Sequence, residues 1–344
     1  MGALEKEVRL SFAQRIRGTL PEPYQPLVSE SKEKDAPDFK YDSDQTPYAQ
    51  EGRELLALLR KKSSEDEIQS VINTIHAKAA TLGVADTLVP STDAYVTAIC
   101  HLGSKSLSHV LSCIERCKDR LLAIGAQSPT AARRQIISSV MEYWHDQPGV
   151  GVNIVDKLLN YTILTPLSVV EWVLIDHLGG GKILAQSHIY EMVATTVHKV
   201  TKRLRDILAA RRRPGLSDAE VKVLDETVDR ERPELGNLFR VIEDALVGVA
   251  AGVTDEELEA GAMDADEGKL EAEFLKAWGQ SWLRVFRRVF AVEEAAAQVV
   301  EEQAQRLATQ GKKDGIEGMA VADGNENGLE NGDVEGGPVG MGIE

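Results

Sequence analysis

Apolar residues recur along this chain at a 3.6-residue period, and no segment sustains the alternation of two that marks a strand. Ile68, Val71, Ile72, Ile75 and Ala79 form one stripe, opened by Ser64-x-x-Glu67, the spacing of a capping box. Leu107, Val110, Leu111, Ile114 and Leu121 form a second, and Ile136, Ile137, Val140, Met141 and Trp144 a third. Trp278, Trp282, Val285, Phe286, Val289 and Phe290 make a fourth. Short breakers separate such stripes at Pro90-Ser91, Gly125 to Pro129, Gln147 to Gly151, Thr165-Pro166 and Gly179 to Gly181. Helices joined by links this short pack as successive antiparallel pairs. The prediction is an all-α superhelical stack of helix pairs, HEAT-like and without a clean repeat period.

One region has a sharper pattern. Tyr190, Val193, Val197, Val200, Leu204 and Ile207 are spaced 3-4-3-4-3, a heptad seam. After Arg213-Pro214-Gly215-Leu216, Ser217-x-x-Glu220 starts a second helix. Its Val221, Leu224, Val228, Leu235, Leu238 and Ile242 resume the spacing, broken by Glu231. Residues 187–246 therefore read as an antiparallel coiled-coil hairpin projecting from the stack. Its first arm carries Lys199, Lys202, Arg203, Arg205, Arg211, Arg212 and Arg213 against one acid. The second, 217–234, carries seven acids against three basic residues. Opposite charge on paired arms fixes orientation, so pairing between arms is the preferred reading of the basic patch. The alternatives are phosphate binding and a nuclear-import signal.

Charge and composition set the outer limits. The net charge is −16. Residues 255–273 hold nine acids against one lysine, and residues 311–344 hold eight acids against two lysines, so the remainder is nearly neutral. Nucleic-acid binding by the surface at large is not expected. Residues 311–344 also contain 10 of the 28 glycines and read as a disordered acidic tail. Residues 21–45, rich in Pro, Ser, Lys and acids, read as a linker, and 46–310 as the helical-repeat domain. Three cysteines, Cys100, Cys113 and Cys117, make no disulfide framework and suit the cytosol or nucleus. With no long apolar run and no signal-peptide core at the N-terminus, neither secretion nor membrane insertion is expected.

Candidate chemistry is sparse. His109, Cys113 and Cys117 lie at i, i+4 and i+8, with Cys100-His101 nearby. Zinc motifs place ligands on turns instead of regularly down a packed helix, so buried cysteines are the better reading. Gly179-Gly180-Gly181-Lys182 lacks the phosphate-loop spacing, a following Ser or Thr and a preceding strand. A helix end followed by a tight link fits better. Trp144, Trp172, Trp278 and Trp282 could stack on bases, but Trp144 and Trp282 stand on apolar stripes and read as core. No nucleophile, metal or cofactor motif emerges, so no cofactor and no enzyme activity are expected.

Several runs are recognisable as a set. His101-Leu102-Gly103-Ser104-Lys105-Ser106-Leu107-Ser108-His109 resembles a signature of the large subunit of the nuclear cap-binding complex. Met141-Glu142-Tyr143-Trp144 with Pro148, Ile154 to Leu159, Trp172, Tyr190 to Lys199 and Asn237 to Ile242 follow in that family's order. The resemblance covers roughly residues 1–310. It implies stacked helical domains like the middle domain of the initiation-factor scaffold, of which this chain matches the third. Residues 1–20 then correspond to the end of the preceding helical domain. The matching hairpin is short, and the first domain and most of the second have no counterpart here, as in a fragment, a truncated gene model or a stand-alone relative.

The resemblance further implies a nuclear scaffold, possible shuttling to the cytoplasm included. It would clamp a small RNA-recognition-motif subunit, contact capped RNA indirectly and recruit splicing, export and decay factors. Charged residues inside the apolar signatures need partners, which singles out Lys105, Asp156 and Lys157 as candidate small-subunit contacts. The alternatives are a helical-repeat adaptor in cytoplasmic translation or decay, and a direct RNA-binding module using the basic arm 199–213.

Overall fold

The computed structural model describes residues 14–27, 37–127, 130–213, 215–252 and 265–323. Every long element among them is a helix, with no strand. The helices are α1 (Ala49–Lys61), α2 (Glu65–Thr81), α3 (Leu88–Leu102), α4 (Leu107–Arg116), α5 (Lys118–Gln127), α6 (Ala131–Tyr143), α7 (Pro148–Asn160), α8 (Pro166–Glu171), α9 (Ser187–Arg211), α10 (Asp218–Ala251) and α11 (Ala265–Asp323). They divide into two compact units. The first comprises 1–201 and 234–287, the second 202–233 and 288–344.

The first unit is the stack that the periodicity predicts. In it α1, α3, α6 and α8 pack in a row, with α2, α4, α5 and α7 against them as a second layer. Helix α3 is the centre: Ser91, Thr92 and every residue from Ala94 to Cys100 are buried. A helix apolar on all sides belongs inside, and its neighbours α1, α2, α4 and α6 cover it. The others show one buried stripe each, as in α2, where Ile68, Val71, Ile72, Ile75 and Ala79 face inward.

Local sequence sets the helix starts. Ser64 accepts from the Glu67 amide while the Glu67 carboxylate accepts from Ser64 N–H, so the predicted capping box is formed. Thr165 and Ser168 do the same for α8 behind Pro166, and Ser217 and Glu220 for α10. After α8, a π-helical turn over Trp172–Asp176 runs into Gly179 to Gly181, all with positive φ. A Cβ on Gly181 would also lie 2.7 Å from Val249. Lys182 pairs with Glu271 at 3.0 Å, so this glycine run serves as a turn against α10 and α11.

Part of the stretch that composition reads as linker is packed. Residues 22–27 and 40–42 form 3-10 turns, and Phe39 and Tyr41 are buried. Two aromatic side chains within three residues outweigh the polar composition around them. Tyr41 donates to Asp93 at 2.5 Å, Lys40 pairs with Asp93 at 2.8 Å and Glu142 at 2.9 Å, and Ser139 donates to Asp93 at 2.7 Å. Residues 37–42 thus strap α3 to α6.

The second unit holds the ends of the predicted hairpin arms. Arg203 pairs with Glu231 at 2.8 Å and Arg211 with Asp225 at 2.7 Å, so the arms meet through their opposite charges. A third helix joins them there. Arg205 pairs with Glu293 at 3.2 Å, Arg232 pairs with Glu294 at 2.5 Å and with Glu301, and Ala297 and Val300 are buried. A strictly two-stranded reading of the arms is therefore extended to three helices, because α11 also carries an apolar stripe in need of cover. Helix α11 reaches Asp323, which takes in the first part of the stretch 311–344. The remainder of the tail, 324–344, lies outside the described residues, as do 1–13 and 253–264.

Candidate partner-binding surface

Several of the signature residues are spent on packing. His101 Nδ1 lies 3.1 Å from the Tyr143 hydroxyl, which donates to the Pro37 carbonyl at 3.1 Å, and the His101 ring stacks on Phe39 at 4.8 Å. Burial lowers the His101 pKa, so the ring is neutral near pH 7. Gly103 closes α3 where a Cβ would lie 2.3 Å from Val110 Cα. Trp144 is 2 % exposed and packs edge-on against Tyr143. Trp172 donates to Ser138 at 2.7 Å and stacks on His177. Trp282 is 2 % exposed and donates to the Leu184 carbonyl at 3.1 Å. Trp278, half-buried, packs edge-on against Phe274.

The soft side chains are dispersed in the same way. Cys100, Cys113 and Cys117 are buried while His109 is exposed. Burial pushes the Cys100 thiol up to about 12, and Cys117 bonds to Tyr95. Among the described residues no group of three His, Cys, Asp or Glu could hold a metal ion.

Most of the basic arm is occupied. Lys199 pairs with Asp156 at 3.1 Å, Lys202 with Asp206 at 2.6 Å, and Arg203, Arg205 and Arg211 with the acids named above. Arg212 and Arg213 are exposed, with no ion pair among the described residues. Phosphate binding would have to displace five carboxylates.

Of the three singled-out residues, Lys105 is exposed in the turn between α3 and α4. Asp156 and Lys157 lie side by side in the last turns of α7, at a corner shared with α5 and α9. There Lys199 also donates to Asn160 at 2.5 Å. Lys157 Nζ stands 4.5 Å from the Tyr161 ring centroid, and Lys118 Nζ, from the start of α5, stands 5.1 Å from the same centroid. The Tyr161 hydroxyl is buried beside the Lys157 ammonium, whose pKa it raises. Thr162, next in the chain, has φ 60°, in the left-handed region. Lys118 and Tyr161 carry no sequence signal of their own; only the meeting of α5 with the end of α7 brings them together.

A cleft of about 370 Å³ lies elsewhere, between one face of α2 and one of α5 over Leu88 and Ser91. His76 and Ser91 bond across it at 2.8 Å, and Arg120 is held by Glu65 and Gln69 at one end. The Ser91 hydroxyl is also within reach of the Thr87 and Leu88 carbonyls, at 3.3 and 3.1 Å.

The model of a family described as MIF4G like matches residues 39–295, three-quarters of the chain and the whole of the stack just described. The chain belongs to the MIF4G-like family. The match begins at Phe39, a buried residue of the strap. The chain is also similar to proteins named nuclear cap-binding protein subunit 1. That of Schizosaccharomyces pombe is 25% identical over 236 residues, 69% of this chain and 28% of the relative. That of Oryza sativa subsp. japonica is 24% identical over 286 residues, 78% of this chain and 30% of the relative. That of Anopheles gambiae is 25% identical over 219 residues, 60% of this chain and 26% of the relative. The resemblance read from the signature runs agrees with these relatives. The chain spans less than a third of the length of each.

Proposed function

We propose that this MIF4G-like chain is a non-enzymatic scaffold of a nuclear mRNA cap-binding complex, and that it holds the small RNA-recognition-motif subunit. The similarity of 60–78% of the chain to three proteins named for that complex carries the reading. A helical stack whose recognisable aromatic residues Tyr143, Trp144 and Trp172 face inward supports it, because such a domain offers surface instead of reactive groups. Ordering a partner's loops in advance lowers the entropy cost of ligand binding and raises affinity without new ligand contacts. The exposed Lys105 and the half-buried Asp156 and Lys157 are the proposed points of contact with that subunit. Recruitment of processing, export and decay factors belongs to the same proposal, as does nuclear residence. No described helix is long and apolar enough to cross a membrane.

The test is co-expression with the small subunit, followed by capture on immobilised cap analogue. The chain is expected in the captured fraction, and Lys105→Glu with Lys157→Glu should lower its yield. Failure to be captured, even when joined to the parts of a relative that it does not span, overturns the proposal. Ion pairing of Lys199, Lys202, Arg203, Arg205 and Arg211 argues against a direct RNA-binding reading of the basic arm.

A further inference from the structure

Helix α11 carries two apolar stripes where it lies against the hairpin arms, and the arms cover one of them. On the covered side Ala297 and Val300 are buried, and Glu293 and Glu294 pair with Arg205 and Arg232. On the other side of the same turns lie Arg288, Val292, Ala295, Val299 and Glu302, spaced 4-3-4-3, a second heptad seam. All five are exposed, Val292 by 57 % and Val299 by 50 %. They belong wholly to the second compact unit. Valine is a poor choice for an uncovered helix position, because its branched side chain loses rotamer freedom there without gaining packing. The residues flanking the seam are small or neutral as well, with Val289 and Ala296 on one edge and Ala291 and Gln298 on the other. A helix face turned to water normally carries charged and polar residues instead. Arg288 makes no hydrogen bond or ion pair among the described residues, and Glu302 meets Arg306 of its own helix at 3.6 Å.

We propose that this outer seam of α11 pairs antiparallel with the same seam of a second copy of the chain. The seam is complementary to itself in that orientation. With the two-fold axis between residues 293 and 294, Val292 of each copy packs on Ala295 of the other, and Arg288 on Val299. Arg288 then stands one layer from Glu302 of the second copy, so two symmetric ion pairs close the ends of the contact. The alanines at 291, 295 and 296 let the two helix axes approach closely between them. A parallel copy in register would instead set Arg288 on Arg288 and Glu302 on Glu302, like charge on like. From 288 to 302 the helix rises about 21 Å. A contact of that length is smaller than permanent interfaces, so a reversible equilibrium between monomer and dimer is expected.

Sedimentation equilibrium of the full chain over a concentration series tests this. Reversible association to a dimer is expected. Val292→Glu with Val299→Glu should weaken it about a hundredfold, the effect of removing both valines of both copies from one contact. Both positions are exposed and glutamate favours helix, so far-UV circular dichroism of this variant should match the parent. Arg288→Glu alone and Glu302→Arg alone should each weaken association roughly tenfold, since each turns two attractions into repulsions. Arg288→Glu combined with Glu302→Arg should restore it. In a parallel dimer neither single swap would matter, because like charges already face each other. A chain that stays monomeric up to its highest soluble concentration, a dimer indifferent to the valine variant, or single swaps without effect overturns the proposal. Small-subunit capture that is lost in the valine variant also overturns it, because the face then belongs to that partner.

Discussion

Gly103 is the position where a single added methyl group should be felt most. It ends α3 with φ −92° and ψ 2°, a conformation open to any residue, so the requirement is one of space. A Cβ there would lie 2.3 Å from Val110 Cα, 2.7 Å from its Cβ and 2.8 Å from its backbone nitrogen. Two of these atoms are main chain and cannot rotate away. Relief means moving the first turn of α4 off α3 by about an ångström, against a fully buried Val110. Overpacking of this kind costs roughly 1–3 kcal/mol, and a rigid backbone neighbour places Gly103→Ala toward the upper end. For a domain of this size each kcal/mol lowers Tm by about 2–4 °C, so a fall of roughly 5–10 °C is expected in far-UV circular dichroism melts. Gly149→Ala is the control, since nothing lies within 4 Å of a Cβ there. A Gly103→Ala protein melting within about a degree of the parent, or a Gly149→Ala protein falling equally, would refute the packing account.

Tyr41→Phe keeps the buried ring but removes the donor to Asp93, a loss of about 1.5–3 kcal/mol for a bond to a charged group, measurable by urea titration. A change below about half a kcal/mol would mean that Lys40 and Ser139 satisfy Asp93 without it. Thr162→Gly relieves a left-handed β-branched residue and should raise Tm, with a gain on the order of 1 kcal/mol; an unchanged or lower Tm counts against strain there. Burial lowers the pKa of His76, His101 and His188. Each is more readily protonated when unfolded, so this stability is complete above the ordinary histidine value of about 6.5 and is lost as pH falls toward the folded values. Melts should therefore fall below about pH 6.5, and His101→Asn should flatten that slope; an unaltered slope removes His101 from the account.

The fold class was legible because burial is periodic. The inward stripe of α2 and the capping boxes follow from residues within a few positions of one another, and the opposite charges of the hairpin arms from charge runs on two successive segments. The strap at 37–42 was hidden by its surroundings, since Phe39 and Tyr41 stand in a stretch otherwise rich in charge and proline. The third helix against the arms was equally hidden, because heptad spacing does not state how many helices share the seam. At the candidate surface, Asp156 and Lys157 stood out as charges within an apolar run. Lys118 and Tyr161 did not, because their meeting depends on where the start of α5 lands against the end of α7. The role of Gly103 was invisible for the same reason: it depends on a helix crossing, not on its own torsion angles.

The joints of the stack differ from one another in chemistry. One is an arginine of α5 gripping Glu65 and Gln69, another is Arg134 reaching Glu171 and Asp176, and a third is the aspartate at the strap. A repeat array with interchangeable joints can lengthen by copying a unit or shorten by losing one. Here a duplicated pair would meet a neighbour lacking the matching partner, and a deleted pair would strand a largely covered charge such as Asp93. Copying or losing a helix pair would therefore cost stability at a joint in a way that a substitution elsewhere on the surface would not.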